Sequence, residues 1–213
     1  MPTTDDYGQG IGIAALTDPP DASKLAKDIV NPIASRSTMR FASSSERSAT
    51  LVGAAAPVEG MVAWLRDVDL LTVYDGTTWS VIGSGNKAWT TVSLASGFAH
   101  NGNSNGTLQY RIVNLFGEDT LMLRGGVNIT YSGSPKVISN GGFVTGSPLV
   151  TAARPSSLRS LTGACSTTDS DVLSVKIDIG TDGRIQIVGT TSATANPKIQ
   201  PPWVSFNGTF CSL

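Results

Sequence analysis

The stretch VLSVKIDIGTDGRIQIVG, residues 172–189, decides the fold class of this chain. Its apolar side chains occupy every second position on both sides of a glycine-containing loop, as in two β-strands that each bury one face. A three-residue loop with Gly183 in the left-handed conformation would place Ile179 opposite Ile185 and Ile177 opposite Ile187. The loop chemistry and the apolar pattern therefore predict the same antiparallel hairpin.

The rest of the C-terminal part shows the same pattern of short apolar segments and turns. From Trp89 onward, short apolar segments are separated by clusters of turn-forming residues, such as NGNSNG (101–106), FGED (116–119) and TGSP (145–148). Many short strands at this spacing are typical of an antiparallel β-sandwich or jelly roll. We therefore expect a mainly β chain in which residues 84–213 form a jelly-roll-like β-sandwich.

A second hairpin is predicted further towards the N-terminus, in LLTVYDGTTWSVIG (70–83). Asp75-Gly76 is a strong turn signal because these residue types tolerate positive φ angles. A four-residue turn would place Tyr74 directly opposite Trp79, whereas a two-residue turn would place Tyr74 opposite Thr77 and Trp79 opposite Thr72. Both registers place the rings on one side of the ribbon, where they can pack across the strands.

Helical patterns precede this hairpin. In DASKLAKDIVNPIASR (21–36), Asp21 is a helix cap and one apolar stripe recurs every four residues. The stripe consists of Leu25, Ile29 and Ile33. Because Pro32 lacks a backbone N–H and clashes with the preceding turn, we expect the helix to stop or kink near Val30.

A small module, residues 35–83, is expected between these helical residues and the sandwich. Ser43 and Glu46 have the spacing of a capping box and predict a short helix that ends near Gly53. The strand that contains Trp64 then joins the hairpin in a three-stranded meander, which rests on this helix. The chain would thus have three parts: an N-terminal docking arm and helix (1–34), the small module, and the sandwich.

Association between chains follows from the size of the small module. Folds of about 40 residues usually need a metal, disulfides or partner chains for stability, and this module has neither cysteines nor a set of metal ligands. We therefore expect its apolar side chains to pack in an oligomer, together with the N-terminal stripe. The candidate packing residues are Leu25, Ile29, Ile33, Trp64, Tyr74 and Trp79.

Charge and composition exclude several classes of partner. The formal net charge is −1, so the sequence lacks the excess of basic residues that is typical of proteins that bind nucleic acid. No apolar run approaches the roughly 20 residues that a membrane-spanning helix needs, and the polar N-terminus does not resemble a signal peptide. We expect synthesis in a cytoplasm, no membrane insertion, and reduced Cys165 and Cys211, although a pairing of these two cysteines is the alternative.

Residues with catalytic chemistry are sparse. His100 is the single histidine, and we expect it to be solvated rather than catalytic. The carboxylate pairs Asp5-Asp6, Glu118-Asp119, Asp169/Asp171 and Asp178/Asp182 adjoin turn-forming residues, where aspartate commonly accepts backbone hydrogen bonds. We expect no enzyme activity, no metal site and no cofactor.

Two aromatic residues are candidates for stacking against a sugar ring. Tyr131 and Trp203 lie near loop-rich stretches, where an exposed ring could bind a glycan. Packing within the protein is the alternative for both.

A family resemblance adds to this interpretation. Residues 36–83 resemble a module in tail-associated fibre and minor tail proteins, of the receptor-binding type, from tailed bacteriophages, especially phages of actinobacteria. The residues that carry it are Arg40-Phe41-Ala42-Ser43, Glu46-Arg47, Gly60-Met61, Tyr74-Asp75-Gly76 and Trp79. The opening TTDDYGQG and DPPDASKLAKDI also look like the start of such proteins, and the C-terminal part is similar in rhythm to their β-sandwich tip.

The resemblance implies a short homotrimeric virion protein without catalytic residues. Its N-terminal arm would dock on other virion proteins, and its sandwich would point outward for attachment to a host envelope glycan. A head fibre, a capsid or baseplate decoration protein without a receptor, and a glycan-active enzyme or lectin on the same scaffold are the alternatives. The trimeric state, rather than a dimer, rests on the resemblance alone.

Overall fold

A computed structural model describes residues 3–4, 11–13, 21–134, 136–138, 140–166, 173–188 and 200–213. Within these residues the chain is mainly β, with two α-helices and four β-sheets, which confirms the predicted fold class. The chain divides into two compact units, Met1–Gly85 and Asn86–Leu213. Neither of the two described helices is long and apolar enough to span a bilayer.

The first unit contains both helices and six of the strands. Its elements are β1 (Thr3–Thr4), β2 (Gly12–Ile13), α1 (Ala22–Arg36), β3 (Met39–Phe41), α2 (Ser44–Thr50), β4 (Val62–Leu65), β5 (Leu70–Tyr74) and β6 (Trp79–Ser84), with a 3-10 turn at Gly53–Ala55. Strands β1 and β2 form a small antiparallel pair. The other four form a sheet of order β3-β4-β5-β6.

The four-stranded sheet of the first unit packs one face on a small core. Its buried residues are Phe41, Ala63 and Leu65, and Leu51 and Trp79 pack against them. Strands β4, β5 and β6 form the predicted meander, whereas β3 was not predicted and pairs with β4 in parallel.

The short helix α2 begins with the predicted capping box. Ser43 accepts a hydrogen bond from the Glu46 N–H at 3.2 Å, and the Glu46 carboxylate accepts one from the Ala42 N–H. The helix ends at Thr50, a few residues before the expected position near Gly53. Reciprocal bonds of this kind satisfy backbone donors that a helix start leaves without partners.

Helix α1 departs from the sequence prediction. It runs to Arg36 with Pro32 inside it, so of the two expected outcomes, a stop or a kink near Val30, the stop is wrong. None of its residues is buried. The proline therefore removes one hydrogen bond at a place where water can solvate the freed carbonyl of Asp28, and the helix continues.

The second unit holds the remaining strands. They are β7 (Thr90–Thr91), β8 (Phe98–His100), β9 (Gln109–Leu115), β10 (Glu118–Arg124), β11 (Gly126–Ile129), β12 (Arg159–Cys165), β13 (Ser174–Ile179), β14 (Ile185–Val188), β15 (Trp203–Ser205) and β16 (Thr209–Ser212). Two 3-10 turns lie at Gly102–Ser104 and Thr151–Ala153.

These strands form an antiparallel β-sandwich, as expected. One sheet has the order β16-β10-β9-β7 and the other β14-β13-β12-β15-β11-β8. A single core fills the space between them, to which the first sheet contributes Tyr110, Leu121 and Leu123 and the second Val127 and Val204. Alternate residues along each strand supply this core, so the period-two pattern of the sequence determines which faces meet.

The hairpin that decides the fold has the predicted register. Ile179 pairs with Ile185 and Ile177 with Ile187, and all four side chains are fully buried. Gly183 has φ +82°, and a Cβ there would lie 3.0 Å from the Leu149 carbonyl oxygen. The left-handed conformation and the close approach both require glycine at this position.

Candidate functional site

Helix α1 presents an apolar stripe that the described part of the chain leaves uncovered. The exposed fractions of Leu25, Ile29 and Ile33 are 43%, 44% and 53%. The helix itself is well formed, since Asp21 caps it by accepting from the Lys24 N–H at 2.9 Å, and Lys24 pairs with Asp28 at 2.5 Å. Three branched side chains on one exposed helix face are a surface that a partner can cover.

The aromatic residues of the first unit lie on both faces of its sheet. Tyr74 is directly opposite Trp79, with ring centroids 5.4 Å apart and planes tilted by 50°, so the turn has four residues. Trp79 packs against the core of this unit. Trp64 lies on the other face, because it pairs with Leu71 while its buried neighbour Ala63 pairs with Thr72.

A buried arginine explains the position of Trp79. The Arg47 guanidinium carbon lies 4.2 Å from the centroid of the Trp79 ring, and Arg47 is 7% exposed. Its Nη1 donates to the Thr72 hydroxyl at 2.8 Å, and that hydroxyl donates to the Ala63 carbonyl at 2.9 Å. Its Nε has no hydrogen-bond partner, and burial lowers the pKa of Arg47. The ring face is therefore a principal electrostatic partner of this charge.

Asp75 holds the hairpin turn together. Its carboxylate accepts from the N–H groups of Thr78 at 2.7 Å and Thr77 at 2.8 Å, and from both threonine hydroxyls. The backbone hydrogen bonds from Thr78 and Thr77 hold the pKa of Asp75 well below its usual range. The carboxylate is thus a structural acceptor that stays ionised.

Asp75→Asn is expected to make the stability of the first unit less dependent on pH in the acid range. A depressed folded-state pKa gives stability that is complete above the unfolded pKa of about 3.9 and is lost as the pH falls through the folded-state pKa. The difference in stability between the two proteins should therefore be complete above about pH 4 and should shrink as the pH falls further, through the folded-state pKa. Thermal unfolding from neutral to strongly acid pH measures this difference. A gap that is constant across this range would contradict the assigned role.

The two glycan candidates differ in their surroundings. Tyr131 packs against the sandwich core and donates its hydroxyl to the Pro201 carbonyl at 3.1 Å. Trp203 is half-buried in β15 and pairs with the exposed Asn128. The adjacent Val204 is fully buried, so Trp203 points to the outer face of its sheet. Both residues are partly exposed, and Trp203 is the one that lies on a sheet face away from the core.

A groove that the sequence did not predict lies elsewhere on the sandwich. It has a volume of about 450 Å³ and is lined by residues that include Leu94, Asn140, Phe143, Thr145 and Arg184. The Arg184 guanidinium carbon lies 5.3 Å from the Phe143 ring centroid, and the Asn140 side-chain amide donates to the Phe143 carbonyl at 2.7 Å. No local sequence signal brings residues this far apart into one groove.

A second unpredicted feature is an exposed aromatic residue at the tip of the β9–β10 hairpin. Phe116 is 86% exposed and has φ +53°, and the next residue, Gly117, has φ +92°. Two consecutive left-handed residues match a tight primed turn, in which asparagine followed by glycine is preferred. Phenylalanine pays a steric penalty there without burying its ring.

Phe116→Asn is expected to stabilise the protein by about 0.5 to 1 kcal/mol, because asparagine adopts the left-handed conformation more readily. The melting temperature of the sandwich measures this effect. Gly117→Ala is the matched control and should lower stability by about 1 kcal/mol, since it adds a Cβ at positive φ. A lower melting temperature for Phe116→Asn would mean that the Phe116 ring makes stabilising contacts.

Three of the described carboxylates of the candidate clusters, those of Asp119, Asp178 and Asp182, accept hydrogen bonds from neighbouring residues. Asp182 accepts from the Arg184 N–H at 3.0 Å, and Asp119 accepts from the Asn114 side chain at 2.9 Å. Burial raises the pKa of Asp178, but hydrogen bonds from Ser160 and Lys176 outweigh it and the net shift is downward. Asp5-Asp6 and Asp169/Asp171 lie outside the described residues.

Clusters of metal-ligating side chains and the two cysteine thiols are the remaining groups with chemical potential. Among the described residues, no group of three or more His, Cys, Asp or Glu side chains could hold a metal ion. Cys165 and Cys211 are buried, Cys211 forms no disulfide, and burial raises the pKa of both thiols. The favoured interpretation, two separate thiols, agrees with this geometry.

Comparisons with known proteins show a partial likeness to a solved structure. No protein-family model matches the chain, and no curated protein matches it. Among solved structures, it is similar to the receptor binding protein (gp15) of Listeria phage PSA, with a TM-score of 0.42 and 16% sequence identity. The similar region covers 59% of this chain and 64% of that chain, so it spans less than two thirds of the phage protein.

Proposed function

We propose that this chain is a structural virion protein of a tailed bacteriophage, a short homotrimeric tail fibre or minor tail protein. Its N-terminal residues dock on other virion proteins, and its β-sandwich attaches the particle to a glycan of the host envelope. It is made in the cytoplasm of the host bacterium and acts without enzymatic cleavage.

The observation that carries this proposal is the uncovered stripe of α1. The helix has no buried residue, and the side chains of Leu25, Ile29 and Ile33 remain about half exposed. Such a helix gains most of its stability when its apolar face packs on a partner. The partner is either the same helix of the symmetry-related chains or a virion protein on which the N-terminus docks.

The resemblance of residues 36–83 to a module of phage fibre and minor tail proteins is a second support. The residues that carry it form a coherent structure here, since Arg47 and Trp79 contact each other and Tyr74 faces Trp79 across the hairpin. The module therefore folds around the same positions that mark the resemblance.

A non-enzymatic role is supported by the chemistry of the described carboxylates. A glycosidase needs a general acid whose pKa is raised. Asp75 and Asp178 instead have lowered pKa values and accept hydrogen bonds from their own turn or strand neighbours. Their protons are lost well below neutral pH, so they are poor general acids.

Light scattering and cell-wall binding test the proposal together. The full chain should have about three times its monomer mass of 22.1 kDa. Fluorescently labelled protein should bind isolated actinobacterial cell walls, and oxidation of the wall glycans with periodate should abolish binding. EDTA should not affect binding, and no reducing sugar ends should be released.

Each outcome separates the proposal from one alternative. A 22.1 kDa species at micromolar concentration would refute the assembly. A trimer that binds no wall would favour a decoration protein. Release of reducing ends would identify an enzyme, and loss of binding in EDTA a calcium-dependent lectin.

A further inference from the structure

Two arginine side chains of the sandwich are held against one tryptophan ring. The guanidinium carbons of Arg111 and Arg124 lie 4.4 Å and 4.2 Å from the centroid of the Trp89 ring. Arg111 lies in β9 and Arg124 in β10, and the two strands pair so that both side chains lie on the same face of the sheet. The opposite face of that sheet carries Tyr110 and Leu123, which belong to the core.

Within the part of the chain that the structure describes, these two positive charges have no carboxylate partner. Arg124 donates from Nε and Nη2 to the side-chain oxygen of Gln109, at 2.9 Å and 2.7 Å, and Gln109 is neutral. The guanidinium of Arg111 has only the weak acceptor Sδ of Met122 at 3.7 Å, and its Nε is buried without any partner. Two like charges at one ring repel each other, and an arginine with no oxygen acceptor is incompletely satisfied.

The other described arginines of this unit differ from Arg111. Arg154 donates to the Leu149 carbonyl at 2.9 Å, and Arg159 donates to the Ser212 carbonyl at 2.9 Å. Arg184 lies 3.7 Å from the Asp182 carboxylate. The fold therefore supplies oxygen acceptors to these guanidinium groups, as Gln109 does to Arg124, and Arg111 beside Trp89 is the exception.

We propose that Trp89, Arg111 and Arg124 form a binding site for an anionic group, a phosphate or a carboxylate. Guanidinium groups recognise both through paired N–H donors, and an arginine already held against a ring loses little side-chain freedom on binding. Arg124 is exposed and gives access, while half-buried Arg111 supplies the unsatisfied charge. This inference rests on the proposed attachment role, because that role makes a charged envelope glycan the source of the anionic group.

The test uses the full chain and free anions at constant ionic strength. Inorganic phosphate and glycerol 1-phosphate represent one source, and acetate and glucuronate represent the other. Binding should change the fluorescence of Trp89, because it places a negative charge beside the guanidinium groups that lie on its ring, and Trp89→Phe should remove this change. Calorimetry measures the affinities independently. Arg124→Gln and Arg111→Gln should each weaken binding by about tenfold.

Arg184→Gln is the matched control, because Arg184 also contacts an aromatic ring but has a carboxylate partner. This variant should bind the anion as tightly as the wild type. Arg124 is exposed, so Arg124→Gln should fold normally and keeps the test valid if Arg111→Gln does not fold. The site is refuted if no anion binds saturably, or if Arg124→Gln binds as well as the wild type.

The attachment role can fail separately. Saturable phosphate or carboxylate binding without cell-wall binding would support the anion site and refute the attachment role. Cell-wall binding that Arg124→Gln leaves unchanged would refute a wall glycan as the ligand of this site and retain the attachment role. A lower oligomer mass for Arg124→Gln, without anion binding by the wild type, would identify the cluster as a contact between chains and overturn the inference.

Discussion

Replacement of Leu25, Ile29 and Ile33 together by serine is expected to weaken self-association by about 100-fold, because each side chain loses apolar area that assembly would bury. The three side chains are 43%, 44% and 53% exposed, so burial of the remaining area contributes about 1 kcal/mol each. Together they contribute about 3 kcal/mol per chain. This is a large share of the favourable free energy needed to offset the translational and rotational entropy that each chain loses on association. Light scattering across a concentration series measures the shift towards the 22.1 kDa chain.

The matched control replaces Lys27, Asn31 and Ala34 by serine on the opposite side of the same helix. It introduces the same number of serines, so it carries a similar decrease in helix propensity without removing the stripe. Circular dichroism should show comparable helix content for both variants at concentrations where both are assembled. Equal oligomer masses for the two variants would contradict an interface on the stripe.

The fold was predictable where local chemistry and long-range pairing require the same arrangement. The loop containing Gly183 sets a register, and that register buries the isoleucines of both strands, so either signal alone leads to the same hairpin. Strand β3 was missed because it has three residues and pairs in parallel with β4, and no turn signal marks such a pairing. The helix continues through Pro32 because water can solvate the carbonyl that the proline leaves without a partner. The rule against proline inside a helix applies most strongly where that carbonyl is buried.

The candidate sites were harder to predict, because they depend on which side chains meet across strands. The sequence shows that Trp79 is on the ribbon face but not that Arg47 from α2 covers its ring. Phe116 is part of a predicted turn, yet only the φ angle reveals that the residue does not suit its conformation. Trp89 and Arg111 are 22 positions apart in the chain, and the pairing of β7 with β9 brings their segments together.

Trp79→Ala is expected to destabilise the first unit by about 3 kcal/mol, because it opens a cavity beside the core and removes the ring that faces a buried charge. Trp79 packs against the buried cluster of Phe41, Ala63 and Leu65, and its ring contacts Tyr74 and Arg47 of the same chain. The direct effect should therefore be local unfolding of β4–β6, and any loss of the oligomer should follow from it. Hydrogen exchange should become faster in these strands, while the core strands of the sandwich, such as β13, remain protected.

A double-mutant cycle with Arg47→Met separates the two contributions to the Trp79 effect. Methionine retains much of the apolar volume of arginine and removes the charge, so it needs no partner for Nε. In this background, Trp79→Ala should destabilise the unit by about 1 to 2 kcal/mol less than it does beside arginine, which is the coupling of the ring to the desolvated guanidinium. Trp64→Ala is the control on the opposite face of the sheet and should show no coupling to Arg47→Met. A cycle that closes to zero for Trp79 would mean that the ring contributes packing alone, and that Arg47 is stabilised by Thr72 without it.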